Sequence, residues 1–356
     1  MAERVAVIGG ETLLGIHLLK ALGEDTNWEI SVWSPKLTDI PESNNNQVHR
    51  SFYGGEELRD AVAGCGTVIC THELQDMSLC PNVGDLEQVN VEFVERLLSY
   101  CVEADVKRFV FLSSYFVQCS RRWPNIYSRE LESSKFTNDT PFSQYTRSKI
   151  QAEELVRSAS SMQRFIARVG PLYGEYDTKS IFCDAIKYGE HYNKLSLFTD
   201  CDGVIQMSYA GNVAYGMLTG VKKMIAQPKS FQCETILLLD DTPVQNYQSL
   251  LGDLIGLKME QSSSAAFFLL FYWVYYVIAM LLALSPTLAR RCPSSDWLQM
   301  FLYHWTFFSD LKATVFLEYT PKFPYSESKQ RSAEYYSTLA PDQIETYSWS
   351  GRSLLC

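Results

Sequence analysis

Short apolar runs alternate with amphipathic stretches along the first half of the chain. Buried strands are indicated by the runs RVAVIGG, WEISVWS, TVICTH, RFVFLSS and RFIARVG, which are almost continuously hydrophobic. Apolar residues recur at helical spacing between them, in LLGIHLLKALG, ELRDAVAGC, DLEQVNVEFVERLLSYCVEA and YTRSKIQAEELVRSAS. Regular alternation of strands and helices predicts an α/β fold with a doubly wound parallel sheet of the Rossmann type.

The same pattern divides the chain into three parts. We expect residues 1–180 to form a dinucleotide-binding domain, because the strand and helix alternation is confined to them. The alternation loosens afterwards, and residues 181–335 are interpreted as a smaller C-terminal substrate-binding portion. Residues 336–356 are polar and are interpreted as a tail.

One long segment, 265–284, is apolar and contains no charged residue. A helix of this length rises about 30 Å, which matches the hydrocarbon core of a bilayer. Arg290 and Arg291 follow it, and basic residues beside such a segment tend to stay cytoplasmic. A shallower position is favoured by the aromatic residues in its middle, Tyr272, Trp273, Tyr275 and Tyr276. We therefore expect an apolar membrane-associated helix that crosses the membrane or lies in its surface, with a buried helix as the alternative.

Charge and cysteine usage exclude several classes of function. The 356 residues carry a formal net charge of −10, so the chain has no basic excess to bind nucleic acid. Its ten cysteines are scattered without a Cys-x-x-Cys pair, which fits free thiols in a reducing compartment and predicts no metal site. A strand pattern begins almost at residue 1, so no signal peptide is expected.

A candidate acid–base pair lies in the stretch SQYTRSKIQAEELV. Tyr145 and Lys149 are four residues apart on a predicted helix and therefore share one face. A nearby ammonium lowers the pKa of a phenol from about 10, which allows proton exchange with an alcohol near neutral pH. The spacing alone also fits two unrelated surface residues.

The first strand leads into VIGGETLLGIHLL, which resembles a phosphate-binding turn. Gly9, Gly10 and Gly15 mark a tight turn whose amides, with the following helix N-terminus, could hold a pyrophosphate. Thr12 stands where the Gly-x-x-Gly-x-x-Gly spacing has its middle glycine, and its side chain adds bulk where the phosphate approaches. Leu13 and Leu14 complete the predicted cofactor-binding turn.

The end of the second strand leaves the choice between NAD and NADP open. NAD sites usually place an acid here for the adenine ribose, but this chain has Ser34, with Lys36 close by. Both residues are predicted to contact the cofactor, and a lysine suits the 2′-phosphate of NADP. Loss of the acid is also what drift in an unused site would produce.

Several motifs occur in the order found in one enzyme family. They are VIGGETLLG, QVNVEFVERLLSYC, RFVFLSSYFV, QYTRSK, RVGPLYGE, SYAGNVAYGML and LLLDDTPVQNY. Across roughly residues 4–335 the chain resembles the extended short-chain dehydrogenases, and most closely the 3β-hydroxysteroid dehydrogenase/Δ5-Δ4 isomerases. The last two motifs are the most specific to the steroid branch, and the apolar segment near 270 stands where those enzymes carry a membrane segment.

The resemblance implies a catalytic role for four residues. Ser114 would hydrogen-bond the substrate oxygen, and Tyr145 would transfer the proton. Lys149 would lower the pKa of the phenol and hold the nicotinamide ribose. Asn90 would relay protons or fix the surroundings of Lys149, although it could also simply begin a helix.

The chain departs from the family where the cofactor would lie. Besides Thr12, the differences are Ser51 in place of an adenine-binding Asp, His72 and Glu73 in place of small residues, and Phe93 in place of a glycine. Bulky or polar groups at these positions would narrow the pocket, weaken cofactor binding or shift it toward NADP.

The resemblance implies a membrane-associated, NAD(P)-dependent oxidation of the 3β-hydroxyl of a steroid or sterol, with Δ5-Δ4 isomerisation left open. The alternatives are a decarboxylating sterol 4-carboxylate 3-dehydrogenase and a nucleotide-binding protein that has lost turnover. The expected location is the endoplasmic reticulum membrane, with the catalytic portion facing the cytoplasm and the mitochondrial membrane as the second choice. The particular steroid, the isomerase base, the reaction direction and the oligomeric state do not follow from the sequence.

Overall fold

The computed structural model describes residues 3–25, 27–35, 50–127, 129–130, 135–180, 182–186, 195–198, 203–255, 259–263, 265–282 and 284–340. The strands are β1 (Glu3–Ile8), β2 (Trp28–Ser34), β3 (Arg50–Gly54), β4 (Thr67–Cys70), β5 (Arg108–Ser114), β6 (Asn125–Tyr127), β7 (Gln163–Val169), β8 (Leu172–Tyr173), β9 (Leu195–Phe198), β10 (Ser208–Tyr209), β11 (Cys233–Leu238), β12 (Met259–Ser263) and β13 (Thr306–Phe308).

Helices follow strands as predicted in the first half of the chain, and further helices continue to residue 338. They are α1 (Leu13–Gly23), α2 (Leu58–Val62), α3 (Val83–Glu87), α4 (Phe93–Glu103), α5 (Ser143–Ser158), α6 (Ala210–Ala226), α7 (Tyr247–Ile255), α8 (Ala265–Leu282), α9 (Pro286–Ala289), α10 (Ser295–Leu298) and α11 (Tyr325–Thr338). Wide π-helical turns occupy Gln88–Glu92, Gln299–Tyr303 and Ala313–Leu317, and a 3-10 turn occupies Tyr115–Gln118.

A seven-stranded parallel sheet forms the centre of the protein, in the order β11-β7-β5-β4-β1-β2-β3. Parallel strands that are buried on both faces need apolar side chains on both sides, which explains their near-continuous hydrophobicity. The chain runs outward from β1 to β3 and then returns to place β4 on the other side of β1. This reversal is the switch point at which doubly wound sheets bind their ligands.

Helices cover both faces of the sheet. Apolar residues of α1 and α6 pack with β1, β2 and β7 on one face, and those of α2, α4 and α5 pack with β4 and β5 on the other. The predicted α/β fold with a doubly wound parallel sheet is confirmed. The seventh strand, β11, comes from beyond residue 180, so the sheet draws on the later part of the chain.

The later part of the chain contributes to a third apolar cluster at the carboxyl ends of the strands. It brings together residues of α7, the turn Gln299–Tyr303 and α11 with Tyr145 and Phe142. Short parallel pairs, β6 with β13 and β8 with β10, join this part to the segments that follow β5 and β7.

The apolar segment predicted at 265–284 forms α8, whose outer face is strongly apolar. Trp273 and Leu281 expose more than half of their surface, whereas Ala279 is buried and the Tyr275 hydroxyl donates to the Pro293 carbonyl. The described residues contain no helix that is long and apolar enough to cross a membrane. The crossing form of the prediction is therefore not supported.

Candidate active site

Tyr145 and Lys149 lie together, fully buried, on the inner face of α5. Their exposed fractions are 0% and 1%, so the predicted pair is not on a wet surface. The Lys149 ammonium donates to the Leu112 carbonyl at 2.7 Å and lies 4.5 Å from the centre of the Phe111 ring. Strand β5 thus holds the lysine from below, and the one-turn spacing places the phenol at the same end of the sheet.

A carboxylate occupies the space between these two side chains. Oε2 of Glu73 lies 2.6 Å from the Lys149 Nζ and accepts from the Tyr145 hydroxyl at 3.2 Å. Its other carboxylate oxygen accepts from the side-chain amide of Gln75. The Glu73 side chain is 4% exposed, so this ion pair is shielded from water and is stronger than a surface pair.

Asn90 fixes the backbone next to Glu73. Its side-chain oxygen accepts from the Leu74 amide at 2.8 Å, and its side-chain nitrogen donates to the Leu74 carbonyl at 2.9 Å. The same nitrogen donates to the Ser148 hydroxyl at 2.9 Å, which in turn donates to the Tyr145 carbonyl. Asn90 therefore ties the segment after β4 to α5 from within the turn Gln88–Glu92, which agrees with a positioning role.

Ser114 ends β5, and its hydroxyl accepts from the Phe116 amide at 3.2 Å, which caps the turn Tyr115–Gln118. Its neighbour Ser113 points to the other side and donates to Glu153 at 2.6 Å. Glu153 receives two hydrogen bonds from the fully buried Arg168, at 2.8 and 2.6 Å. Although burial raises the pKa of Glu153, Arg168 holds it below the usual value. This ion pair ties α5 to β7 beneath the candidate site.

The N-terminal end of α5 is held by a residue that the sequence analysis did not single out. Phe142, in a left-handed conformation (φ 49°), precedes the helix, and its amide donates to Asp296 at 2.7 Å. Asp296 also accepts two hydrogen bonds from Arg121, at 2.6 and 2.7 Å. Nothing in the local sequence indicates this contact, because Asp296 is more than 150 residues from both partners.

The predicted phosphate-binding turn has the backbone conformation that it needs, but the side chain of Thr12 caps it. Gly9 has φ +99°, and a Cβ there would lie 2.6 Å from the His72 amide nitrogen. A Cβ on Gly15 would collide with the Gly9 carbonyl. These two glycines therefore retain the tight turn and the close helix packing of the dinucleotide fingerprint.

Thr12 stands at the position of the middle glycine, and its side chain caps the N-terminus of α1. Its hydroxyl accepts from the Gly15 amide at 3.0 Å and donates to the Gly9 carbonyl at 2.9 Å. The amide of Gly10 donates to the Trp33 carbonyl, and Leu13 and Leu14 are buried in the first turn of α1. The Thr12 hydroxyl thus satisfies one of the amides that a phosphate would otherwise contact.

His72 fills the adjacent space together with two aromatic residues. Its ring centre lies 4.9 Å from that of Phe93 and 5.3 Å from that of Trp33, and Nδ1 lies 3.3 Å from a carboxylate oxygen of Glu11. The departures from the family pattern at 72 and 93 therefore form one packed cluster beside the turn.

The adenine side of the predicted cofactor site is described only in part. Ser34 is buried at the end of β2, next to Gly54 of β3, and Ser51 pairs with Ser31 in the same two strands. Lys36 lies outside the described residues, so its predicted contact with the cofactor is not tested.

The glycine turn and the buried pair suit NAD or NADP, which this fold binds at the carboxyl ends of its strands. Gly9, Gly15 and the N-terminus of α1 provide the turn, and Lys149 and Tyr145 meet beside β5 and the segment after β4. Two side chains oppose the cofactor. Thr12 takes the Gly15 amide, and the Glu73 carboxylate takes the hydrogen bonds that Lys149 and Tyr145 would offer to a cofactor.

Comparison with known proteins identifies the family and agrees with the fold. Residues 6–267 match the 3-beta hydroxysteroid dehydrogenase/isomerase family. UDP-glucuronic acid 4-epimerase from Bacillus cereus, solved with NAD, is 15% identical with a TM-score of 0.68, and the match covers 94% of this chain and 98% of the epimerase. UDP-glucose 4-epimerase from Thermus thermophilus, solved with NAD, is 16% identical with a TM-score of 0.63, and the match covers 95% of this chain and 100% of that enzyme. UDP-N-acetylglucosamine 4-epimerase from Bacillus cereus is 14% identical with a TM-score of 0.64, and the match covers 98% of this chain and 99% of that enzyme. Likeness at such identities shows the fold alone.

Proposed function

Because the chain belongs to the 3-beta hydroxysteroid dehydrogenase/isomerase family, we propose that it is an NAD(P)-dependent oxidoreductase acting on the 3β-hydroxyl of a steroid or sterol. The observation that carries the proposal is the burial of the Tyr145 phenol and the Lys149 ammonium together, beside β5 and the segment after β4. Titratable groups buried in this way are concentrated at functional sites, and a phenol next to an ammonium can transfer a proton to or from an alcohol.

Each residue of the candidate site has a separate role in the proposed reaction. NAD or NADP would be held by the turn Gly9–Gly15 and by Lys149 and, when bound, supplies the acceptor for the hydride. Tyr145 takes the hydroxyl proton of the substrate, and the Lys149 ammonium stabilises the phenolate before that transfer. Ser114 donates a hydrogen bond to the substrate oxygen, and Asn90 fixes α5 and the segment after β4 relative to each other.

An apolar substrate agrees with the surroundings of the phenol. Tyr145 belongs to the apolar cluster that contains Phe301 and Tyr247 from the later part of the chain. This cluster supports the interpretation of residues 181–335 as the substrate-binding portion, a division that remains a prediction, as does the polar tail at 336–356.

We further propose that α8 lies in the membrane surface. The helix exposes Leu270, Trp273, Val277 and Met280, and a steroid or sterol dissolves in the bilayer that such a face would contact. The endoplasmic reticulum membrane, with the catalytic portion toward the cytoplasm, is the proposed location, and the mitochondrial membrane is the second choice.

Two alternatives stay distinct from this proposal. A decarboxylating sterol 4-carboxylate 3-dehydrogenase would use the same Tyr145 and Lys149 and would differ in releasing carbon dioxide from its substrate. A nucleotide-binding protein without turnover is favoured by one observation, the carboxylate of Glu73 on the catalytic lysine.

Membranes that contain the wild type or Tyr145→Phe should be incubated with NAD+ or NADP+ and a 3β-hydroxy-5-ene steroid. We expect the substitution to lower product formation by about 10²–10⁴-fold, because it removes the proton-transferring group. Tyr100→Phe, the same change on α4 outside the site, should retain wild-type turnover. Equal product from the wild type and Tyr145→Phe would remove Tyr145 from the mechanism, and the absence of turnover despite cofactor binding would favour the nucleotide-binding alternative.

A further inference from the structure

The contact of Glu73 with both catalytic side chains is the feature that the proposed mechanism leaves unexplained. One carboxylate oxygen of Glu73 lies at hydrogen-bonding distance from the Lys149 Nζ and the Tyr145 hydroxyl at once. The second oxygen is held by Gln75. A mechanism that needs only the phenol and the ammonium has no use for a third, negatively charged group between them.

The carboxylate competes for the hydrogen bonds that a cofactor would need. If Lys149 holds the nicotinamide ribose, its ammonium must donate to ribose hydroxyl oxygens. Both Glu73 and the ribose are acceptors, and Lys149 already donates to the Leu112 carbonyl on its inner side. An ammonium has three N–H donors, and Leu112 and Glu73 take two of them, so a ribose that accepts from Lys149 through two hydroxyl oxygens has to displace Glu73.

The backbone around Glu73 is fixed, so the competition is decided by its side chain. The amides of Thr71 and His72 donate to the Ile8 carbonyl at 2.8 and 3.0 Å, and Asn90 holds Leu74 by two hydrogen bonds. Departure of the carboxylate from Lys149 therefore requires rotation about the χ angles of Glu73 rather than movement of its backbone.

We propose that Glu73 is an internal competitor of the cofactor, whose carboxylate closes the position of the nicotinamide ribose until it leaves Lys149. This inference rests on the proposed function, since it assumes that Lys149 holds the cofactor. If Glu73 occupies Lys149 in about 90–99% of molecules, the apparent dissociation constant of NAD(P) rises by about 10- to 100-fold.

The test is a fluorescence titration of the purified protein with NADH and with NADPH. Glu73→Ala removes the carboxylate and is expected to bind one of the two cofactors at least about tenfold more tightly than the wild type. Glu73→Gln keeps the shape and loses the charge, and it should bind with an intermediate affinity.

A matched control separates direct competition from a general change of charge. Glu95→Gln also removes one negative charge, but Glu95 is exposed on α4 and is not the carboxylate paired with Lys149. We expect this variant to differ from the wild type by less than about threefold, so a gain equal to that of Glu73→Ala would overturn the proposal.

The remaining outcomes are distinguishable by the same titration. Equal, saturable binding by the wild type and Glu73→Ala would overturn the role of Glu73 and leave the proposed function standing. No binding of either cofactor by any folded variant would overturn both. If circular dichroism shows that Glu73→Ala is unfolded, Glu73→Gln decides, and an affinity equal to that of the wild type overturns the proposal.

Discussion

Below neutral pH, we expect this protein to lose stability through one buried histidine, His17. The residue lies on α1 and is 6% exposed, with Nε2 3.1 Å from the carbonyl oxygen of Glu175 and edge-on to the Tyr209 ring. Burial lowers the pKa of His17 from 6.5 to about 4, although the nearby Glu175 carboxylate raises it. The imidazole is therefore neutral in the folded protein at pH 5, whereas an unfolded chain would carry it protonated.

The magnitude follows from the two pKa values. Between pH 6.5 and about 4 the unfolded chain binds more protons than the folded protein, so the free energy of unfolding falls as the pH falls. The His17 contribution is complete above pH 6.5, and about 2 kcal/mol of it is lost between pH 7.5 and pH 5.

Urea denaturation of the wild type and of His17→Gln at pH 7.5, 6 and 5 isolates this contribution. The glutamine amide can still donate to the Glu175 carbonyl but does not titrate. Asp177 and Asp240, whose pKa values are raised by burial, titrate in both proteins, so their effect cancels in the difference. A difference in free energy of unfolding that stays constant from pH 7.5 to pH 5 would refute the reasoning.

Two further predictions concern the support of α5 and the surface of α8. Glu153→Gln leaves the buried Arg168 without its counter-charge, and urea denaturation should show a free energy of unfolding lower by about 3 kcal/mol. Arg157→Gln removes a more exposed partner of the same carboxylate and should lower the free energy of unfolding by less than about 1 kcal/mol. Equal losses would contradict this assignment. Trp273→Asp should reduce the fraction of protein that floats with anionic liposomes by roughly tenfold, while Val315→Asp, at an exposed apolar position outside α8, should leave it unchanged. Unchanged flotation of the first variant would exclude α8 as the contact.

Local pattern predicted the sheet well because the strands are buried on both faces. The run RFVFLSS became β5 over the same residues, Arg108–Ser114, and WEISVWS became β2, Trp28–Ser34. The one-turn spacing of Tyr145 and Lys149 likewise placed both groups on one helix face. Such features depend on neighbouring positions in the chain, which a sequence displays directly.

The parts of the site that were not predicted depend on side-chain direction and on distant contacts. The family pattern marked Glu73 as unusual, but its contact with Lys149 depends on which way the chain turns after β4. The apolar run at 265–284 has a hydrophobicity that suits a membrane span, whereas its tertiary contacts, such as that of Tyr275 with Pro293, do not follow from hydrophobicity. The hydrogen bond from the Phe142 amide to Asp296 joins residues 154 positions apart, and no periodicity in the sequence indicates such a contact.

The hydrogen bonds of Asp296 limit where the chain can be divided. The family match stops at residue 267, yet Asp296 holds Arg121 and the amide before α5, and β13 pairs with β6 far upstream. A protein truncated at the family boundary would lose the carboxylate of Asp296 that accepts from Arg121 and the strand β13 that pairs with β6. Chimaeras that exchange C-terminal thirds between relatives should therefore carry residues 121–127 along with the exchanged part.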